Sequence, residues 1–116
     1  NVLVVEAGPV AENAAGSLRR FRPDGVILLD AAWFDGQPGE IRGLDWRAAE
    51  GFSASTHALP LSVLAQYLET ELDCRVFLIG IQVERVTFDQ PMTRPVAAAV
   101  RKLARGLHDV LTAKEE

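Results

Sequence analysis

Three short stretches of the chain are continuously apolar, and three others are apolar at helical spacing. Residues 2–6 open with Val2-Leu3-Val4-Val5 and close on Glu6. Residues 25–30 carry Val26-Ile27-Leu28-Leu29 and end at Asp30, and residues 75–82 carry Val76-Phe77-Leu78-Ile79-Gly80-Ile81 and end at Gln82. Unbroken runs of this length predict strands covered on both faces. Between them, Ala15, Leu18 and Phe21 sit at helical spacing over residues 12–21, with Arg19, Arg20 and Arg22 near the end, where cations complement the helix dipole. Pro60 suits the first position of a helix whose apolar face is Leu61, Leu64, Ala65 and Leu68. A last helix starts near Pro95, with Val96, Val100, Leu103, Leu107 and Val110 as its apolar face.

The punctuation between these elements is equally specific. Ala7-Gly8-Pro9 breaks the first run, and Pro23-Asp24-Gly25 is a turn signal. Residues 40–44 read as a short, more exposed strand, and Asp45 as the N-cap of a helical turn over residues 46–50. A polar loop over residues 53–59 carries His57, and a loop with Glu84, Phe88, Pro91 and Met92 precedes the last helix. Strands alternating with helices predict an α/β sandwich around a mostly parallel sheet, in one domain over residues 1–116. Asn1 is not a start Met and the chain opens directly on a strand pattern, so the domain is expected to be N-terminally incomplete.

Composition narrows the function classes. The net charge of -4, with ten Arg spread along the chain, argues against a nucleic-acid partner, which needs a basic surface. No apolar run approaches the roughly 20 residues that span a bilayer, so no membrane partner is expected. The single Cys74 excludes an internal disulfide and fits a reducing, cytoplasmic setting.

In parallel sheets, functional groups gather beyond the C-terminal strand ends. Glu6, Asp30 and Gln82 all fall there. Asp30 reads equally as a turn or capping residue and as a rim carboxylate. His57 reads as a loop hydrogen-bonding residue or as a ligand, and one imidazole with one carboxylate does not fill a metal site. Glu6 either completes a carboxylate cluster or anchors the Ala7-Gly8-Pro9 loop; the second is favoured. Cys74, at a helix-to-strand junction, reads as a small packing residue, and His108 as a solvated one. Ser53 and Ser55 lack a G-x-S-x-G context, and Gly36-Gln37-Pro38-Gly39 has no phosphate-loop Lys. Of Trp33 and Phe34, adjacent at a loop tip, one is expected over the core, and a partner contact is the other reading.

Five segments together resemble the hydrogenase maturation endopeptidases, particularly the branch serving formate-hydrogenlyase-type hydrogenases. They are Val26-Ile27-Leu28-Leu29-Asp30-Ala31, Gly36-Gln37-Pro38-Gly39-Glu40-Ile41, Ser55-Thr56-His57-Ala58-Leu59-Pro60-Leu61, Phe77-Leu78-Ile79-Gly80-Ile81-Gln82, and the stretch from Phe88 through Pro91-Met92-Thr93-Arg94-Pro95-Val96. The resemblance implies a three-layer α/β/α sandwich around a five-stranded twisted sheet, with the first strand missing from this chain. It implies three residues facing a nickel ion: Asp30, His57 and an acidic residue upstream of Asn1. The nickel is carried by the substrate, a nickel–iron hydrogenase large-subunit precursor, and other divalent metals can substitute in crystals. The implied activity is removal of the precursor's C-terminal extension after nickel insertion, with Asp30 and His57 as catalytic residues and Glu6, Gly8 and Gln82 toward the substrate. A catalytically silent homologue that binds the precursor as an assembly factor is the alternative. Two positions depart from the family pattern: Glu6-Ala7-Gly8 stands where Asp-Gly-Gly is usual, and Val83 where Pro is common. Either marks a divergent substrate or a relaxed constraint.

Overall fold

The structure, a computed structural model, describes residues 2–8, 11–48, 61–85 and 91–113. Two of the apolar runs form its two longest strands, one of them central. β1 (Gly25–Ala32) and β3 (Arg75–Gln82) pair in parallel without a break, from Gly25 opposite Arg75 to Ala32 opposite Gln82. β2 (Ile41–Leu44) adds antiparallel to the other side of β3, giving the order β1-β3-β2. The sheet is therefore mixed, with one parallel and one antiparallel pairing among the described residues. A parallel pair needs a crossover between its strands, and α2 (Leu61–Leu72) lies in that connection.

Side-chain alternation decides which helix covers which face. Val26, Val76 and Leu78 join Leu61, Leu64, Ala65 and Leu68 of α2 in one buried cluster, with Trp46 and Cys74. Ile81 and Val83 join Val96 and Ala99 of α3 (Arg94–Thr112) in a second, with Ala31 and Ile41 packed against it. The two clusters draw on β3 positions of opposite parity, so α2 and α3 lie on opposite faces.

The direction of α2 follows from the chain. Only Asp73 and Cys74 separate its end from the start of β3, so it runs back along the sheet. Twelve helical residues rise about 18 Å, which matches between five and six strand residues at about 3.3 Å each. Leu61 therefore lies near the level of Gly80, whose partner on β1 is Asp30.

α1 (Ala15–Phe21) follows a one-turn 3-10 helix at Ala11–Ala14 and is closed by Arg22, whose left-handed backbone donates its N–H to the Leu18 carbonyl. Leu18 packs on the α2-side cluster, and the Arg19 guanidinium donates to the Tyr67 hydroxyl of α2. Asp45 caps the 3-10 turn Trp46–Ala48 by accepting the Arg47 N–H at 3.0 Å.

Three expectations are corrected. Residues 2–6 take no strand assignment and are exposed, Val4 at 88%. The sheet of the described residues offers that run no ladder, and a strand exists only through its neighbour's hydrogen bonds. On α3, burial follows Val96, Ala99 and the half-buried Leu103 and Leu107, while Val100 and Val110 are exposed. Apolar periodicity locates a helix face only where something lies opposite it. Finally, Phe21 is exposed instead of sharing the apolar face with Leu18.

Two glycines are fixed by close approach. At Gly80 a Cβ would meet the Ala32 Cβ and a Leu44 methyl at 2.8 Å. At Gly39, φ is +88° and a Cβ would fall 2.5 Å from the Pro95 carbonyl oxygen, so the chain entering β2 abuts the start of α3.

Leu68 is wholly buried, with a relative exposure of 0%, at the centre of the α2-side cluster. Leu68→Ala is expected to lower unfolding stability by about 2–5 kcal/mol. Urea unfolding of the two proteins measures it, and a difference under about 1 kcal/mol contradicts the packing described.

Candidate functional site

Asp30 sits six residues into β1, half-buried, opposite Gly80. Its parity with Val26, Leu28 and Ala32 turns it to the α2 side of the sheet, at the end where α2 begins. Gln82 ends β3 on the same face, one pleat further along, opposite Ala32. Strand geometry sets their Cα atoms about 8 Å apart. The structure thus brings Asp30 and Gln82 to one corner of the sheet.

Gln82 is the buried polar side chain of this corner, with 4% exposure. Its Oε1 accepts the N–H of Phe34 at 2.8 Å and of Gly36 at 3.2 Å, and its Nε2 donates to the Val83 carbonyl at 2.9 Å. Its backbone is also engaged: the carbonyl accepts the Gly39 N–H and the N–H donates to the Glu40 carbonyl, both at 2.9 Å. One residue therefore ties down the loop that leaves β1 and the segment that enters β2. The sequence marked Gln82 as a strand-end group and, through the family resemblance, as a substrate-side residue; Gly36, three residues before another glycine, gave no sign of this contact.

The same loop is closed from outside by charge. Arg42 pairs with Glu40, lies with its guanidinium 4.4 Å from the centre of the Phe34 ring, and donates to the Phe34 carbonyl at 3.5 Å. Glu40 also accepts the Gln37 N–H at 3.3 Å. These donors, Arg42 first and Gln37 second, hold the Glu40 carboxyl below its ordinary value of 4.5. Phe34 is the aromatic that folds inward, and Trp33 stays exposed at 43%.

The other expected residues divide. Glu6 is exposed, and Gly8 adopts a left-handed φ of +67° with open space where a Cβ would stand. His57 and Pro60 lie outside the described residues. Among the described residues no group of three or more His, Cys, Asp or Glu side chains is placed to hold a metal ion. Cys74 is buried, with its Sγ 3.7 Å from the Leu68 carbonyl, and burial first, then Glu69 and Asp73, pushes its thiol up. It is a packing residue. His108 is exposed beside Asp109. Trp46, to which the sequence reading gave no role, is buried, donates its indole N–H to the Val76 carbonyl at 3.1 Å and lies under the Arg47 guanidinium.

The fold and the corner define a class first: a mixed α/β protein with a carboxylate and a buried amide near the C-terminal ends of its parallel strands, where such sheets put their sites. The chain belongs to the hydrogenase maturation protease family, endopeptidases whose HycI family model it matches over residues 1–109. It is 36% identical to the hydrogenase 3 maturation protease of Escherichia coli over 108 residues, spanning 92% of this chain and 69% of that protein. Its structure is similar to the solution structure of the endopeptidase HycI from Escherichia coli, with a TM-score of 0.80 and 34% identity over 93% of this chain and 71% of that one. It is also similar to the crystal structure of a NiFe hydrogenase maturation protease HycI from Thermococcus kodakarensis, with a TM-score of 0.86 and 28% identity over 97% of this chain and 72% of that one. Among the described residues no helix is long and apolar enough to cross a membrane.

The lowered Glu40 carboxyl makes the Arg42 clamp sensitive to acid. A depressed folded value means the pair contributes fully above 4.5 and is lost as pH falls through the lower folded value. The Glu40 side-chain carboxyl signal in an NMR titration is expected to reach its midpoint below 4.5. A midpoint at or above that value contradicts the pairing.

Proposed function

We propose that this protein is a nickel-dependent endopeptidase that removes the C-terminal extension of a nickel–iron hydrogenase large-subunit precursor in the cytoplasm, after nickel has been inserted. The observation that carries the reading is the position of Asp30. It is a rim carboxylate on the α2 side of the sheet, level with the start of α2. His57 lies outside the described residues and precedes that helix by four residues in the chain. Membership of the hydrogenase maturation protease family supplies the reaction class.

The nickel belongs to the substrate. A carboxylate and a neutral imidazole are both suitable donors for Ni(II), so Asp30 and His57 can test whether the precursor is loaded. Engaging the ion from the protease side fixes the scissile bond beside Asp30, which converts a bimolecular encounter into an oriented one. When present, nickel supplies Lewis-acid polarisation to the hydrolysis. The protein's own contribution is orientation. Glu6 and Gly8 belong to the same reading as substrate-side residues: Glu6 is exposed, and Gly8 turns the chain with no side chain in the way.

Asp30→Ala and His57→Ala are each expected to reduce cleavage of a purified, nickel-loaded precursor by about a hundredfold or more. Their circular dichroism and melting curves should match the parent, because Asp30 is a rim residue outside both apolar clusters. Undiminished cleavage by both variants removes the assignment. Tight precursor binding by the parent protein without any cleavage replaces it with the assembly-factor reading.

A further inference from the structure

We propose that Gln82 is a positioning residue for proteolysis: its buried amide sets the conformation of the loop that continues the Asp30 strand. The inference rests on the reading above and adds to it a residue that works from inside the fold. Gln82 has 4% exposure, so its amide is turned away from solvent and from an incoming peptide. Its oxygen takes two backbone N–H groups of the loop, from Phe34 and Gly36, and its nitrogen is spent on the Val83 carbonyl.

Those two N–H groups explain the choice of side chain. A loop leaving the end of a strand has no ladder to satisfy its donors, and a buried N–H without a partner costs about 1–3 kcal/mol. A side-chain carbonyl from the neighbouring strand replaces the missing ladder. It also selects one loop conformation, since Phe34 N–H and Gly36 N–H must converge on one oxygen. Gly36 is required at that convergence, because a Cβ there would lie 2.7 Å from both the Glu40 carboxylate and the Phe34 ring. With the loop pinned, Trp33 is held at the surface three residues after Asp30. Loss of the oxygen frees the loop beside the rim carboxylate, and displacements of about an ångström at such positions can cost about a hundredfold in rate.

The test compares two substitutions. Gln82→Met keeps length and apolar bulk but has no acceptor for the two N–H groups. Gln82→Glu keeps an acceptor oxygen in either protonation state. In the Met variant, amide hydrogen exchange at Phe34 and Gly36 is expected to speed up by about tenfold or more, with exchange in the middle of β3 unchanged. Its kcat on nickel-loaded precursor should fall about tenfold or more while KM stays within about twofold. The Glu variant should recover most of the protection and most of the kcat. Unchanged exchange at Phe34 and Gly36 in the Met variant overturns the proposal, as does an equal kcat loss in both variants at equal melting temperature. A rise in KM alone overturns it too, in favour of direct substrate contact. If the parent protein itself cleaves no precursor, the proteolytic reading fails instead, and the exchange comparison still decides whether Gln82 governs the loop.

Discussion

The eight-position parallel pairing of β1 with β3 fixes where everything else in this protein can lie. Because the register is unbroken, one pleat phase governs both strands, and every side chain of the pair is committed to one face or the other. Val26, Val76 and Leu78 must meet α2, and Ala31 and Ile81 must meet α3. A slip by one residue would turn Asp30 to the α3 side and carry Gln82 away from the loop it anchors. The apolar clusters and the functional corner therefore share a cause, and the clusters supply the energy that holds the corner in place.

That coupling also explains how the corner can be polar without being weak. Beyond the last ladder bond of β1, the backbone of residues 33–40 must find its partners individually. Gln82 satisfies the inner side with its amide and both backbone groups. Arg42 and Glu40 satisfy the outer side, where solvent moderates the charges and the pair alone contributes little. The inner contacts are the stronger constraint, because a buried donor has no water to fall back on. The outer clamp then acts as a closure over Phe34, with the guanidinium stacked on the ring.

The elements that could be read from the sequence are those whose signal is local. β1, β3 and α2 are apolar runs or rows long enough to be identified without knowing their neighbours, and Asp45 caps its turn as its residue type suggests. What could not be read depends on a partner. Residues 2–6 have strand composition yet no ladder among the described residues. The far half of α3 has apolar residues and nothing opposite Val110. Trp46, alone among polar neighbours, gave no periodic signal, although its ring fills the α2-side cluster. At the site, Asp30 stands out in the sequence as a carboxylate after four apolar residues, although β1 runs two residues past it to Ala32 because its pairing with β3 continues. His57 lies outside the described residues.

Gln82 shows why a strand-end polar residue is ambiguous in sequence. Position alone makes it a candidate for substrate contact, since it shares the rim with Asp30. Burial separates the two roles: a group with 4% exposure whose oxygen already accepts two N–H groups has little left to offer a ligand. The same hydrogen bonds give it leverage over the loop that continues the Asp30 strand. In a protease that would bind a metal carried by its substrate, the reacting groups are divided between two molecules, and accuracy depends on how firmly each side is held. Asp30 is held by the ladder of β1. Among the described residues the loop after it is held on its buried side by Gln82, through its amide and its backbone groups, which makes this residue the point where the order of the sheet passes into the loop.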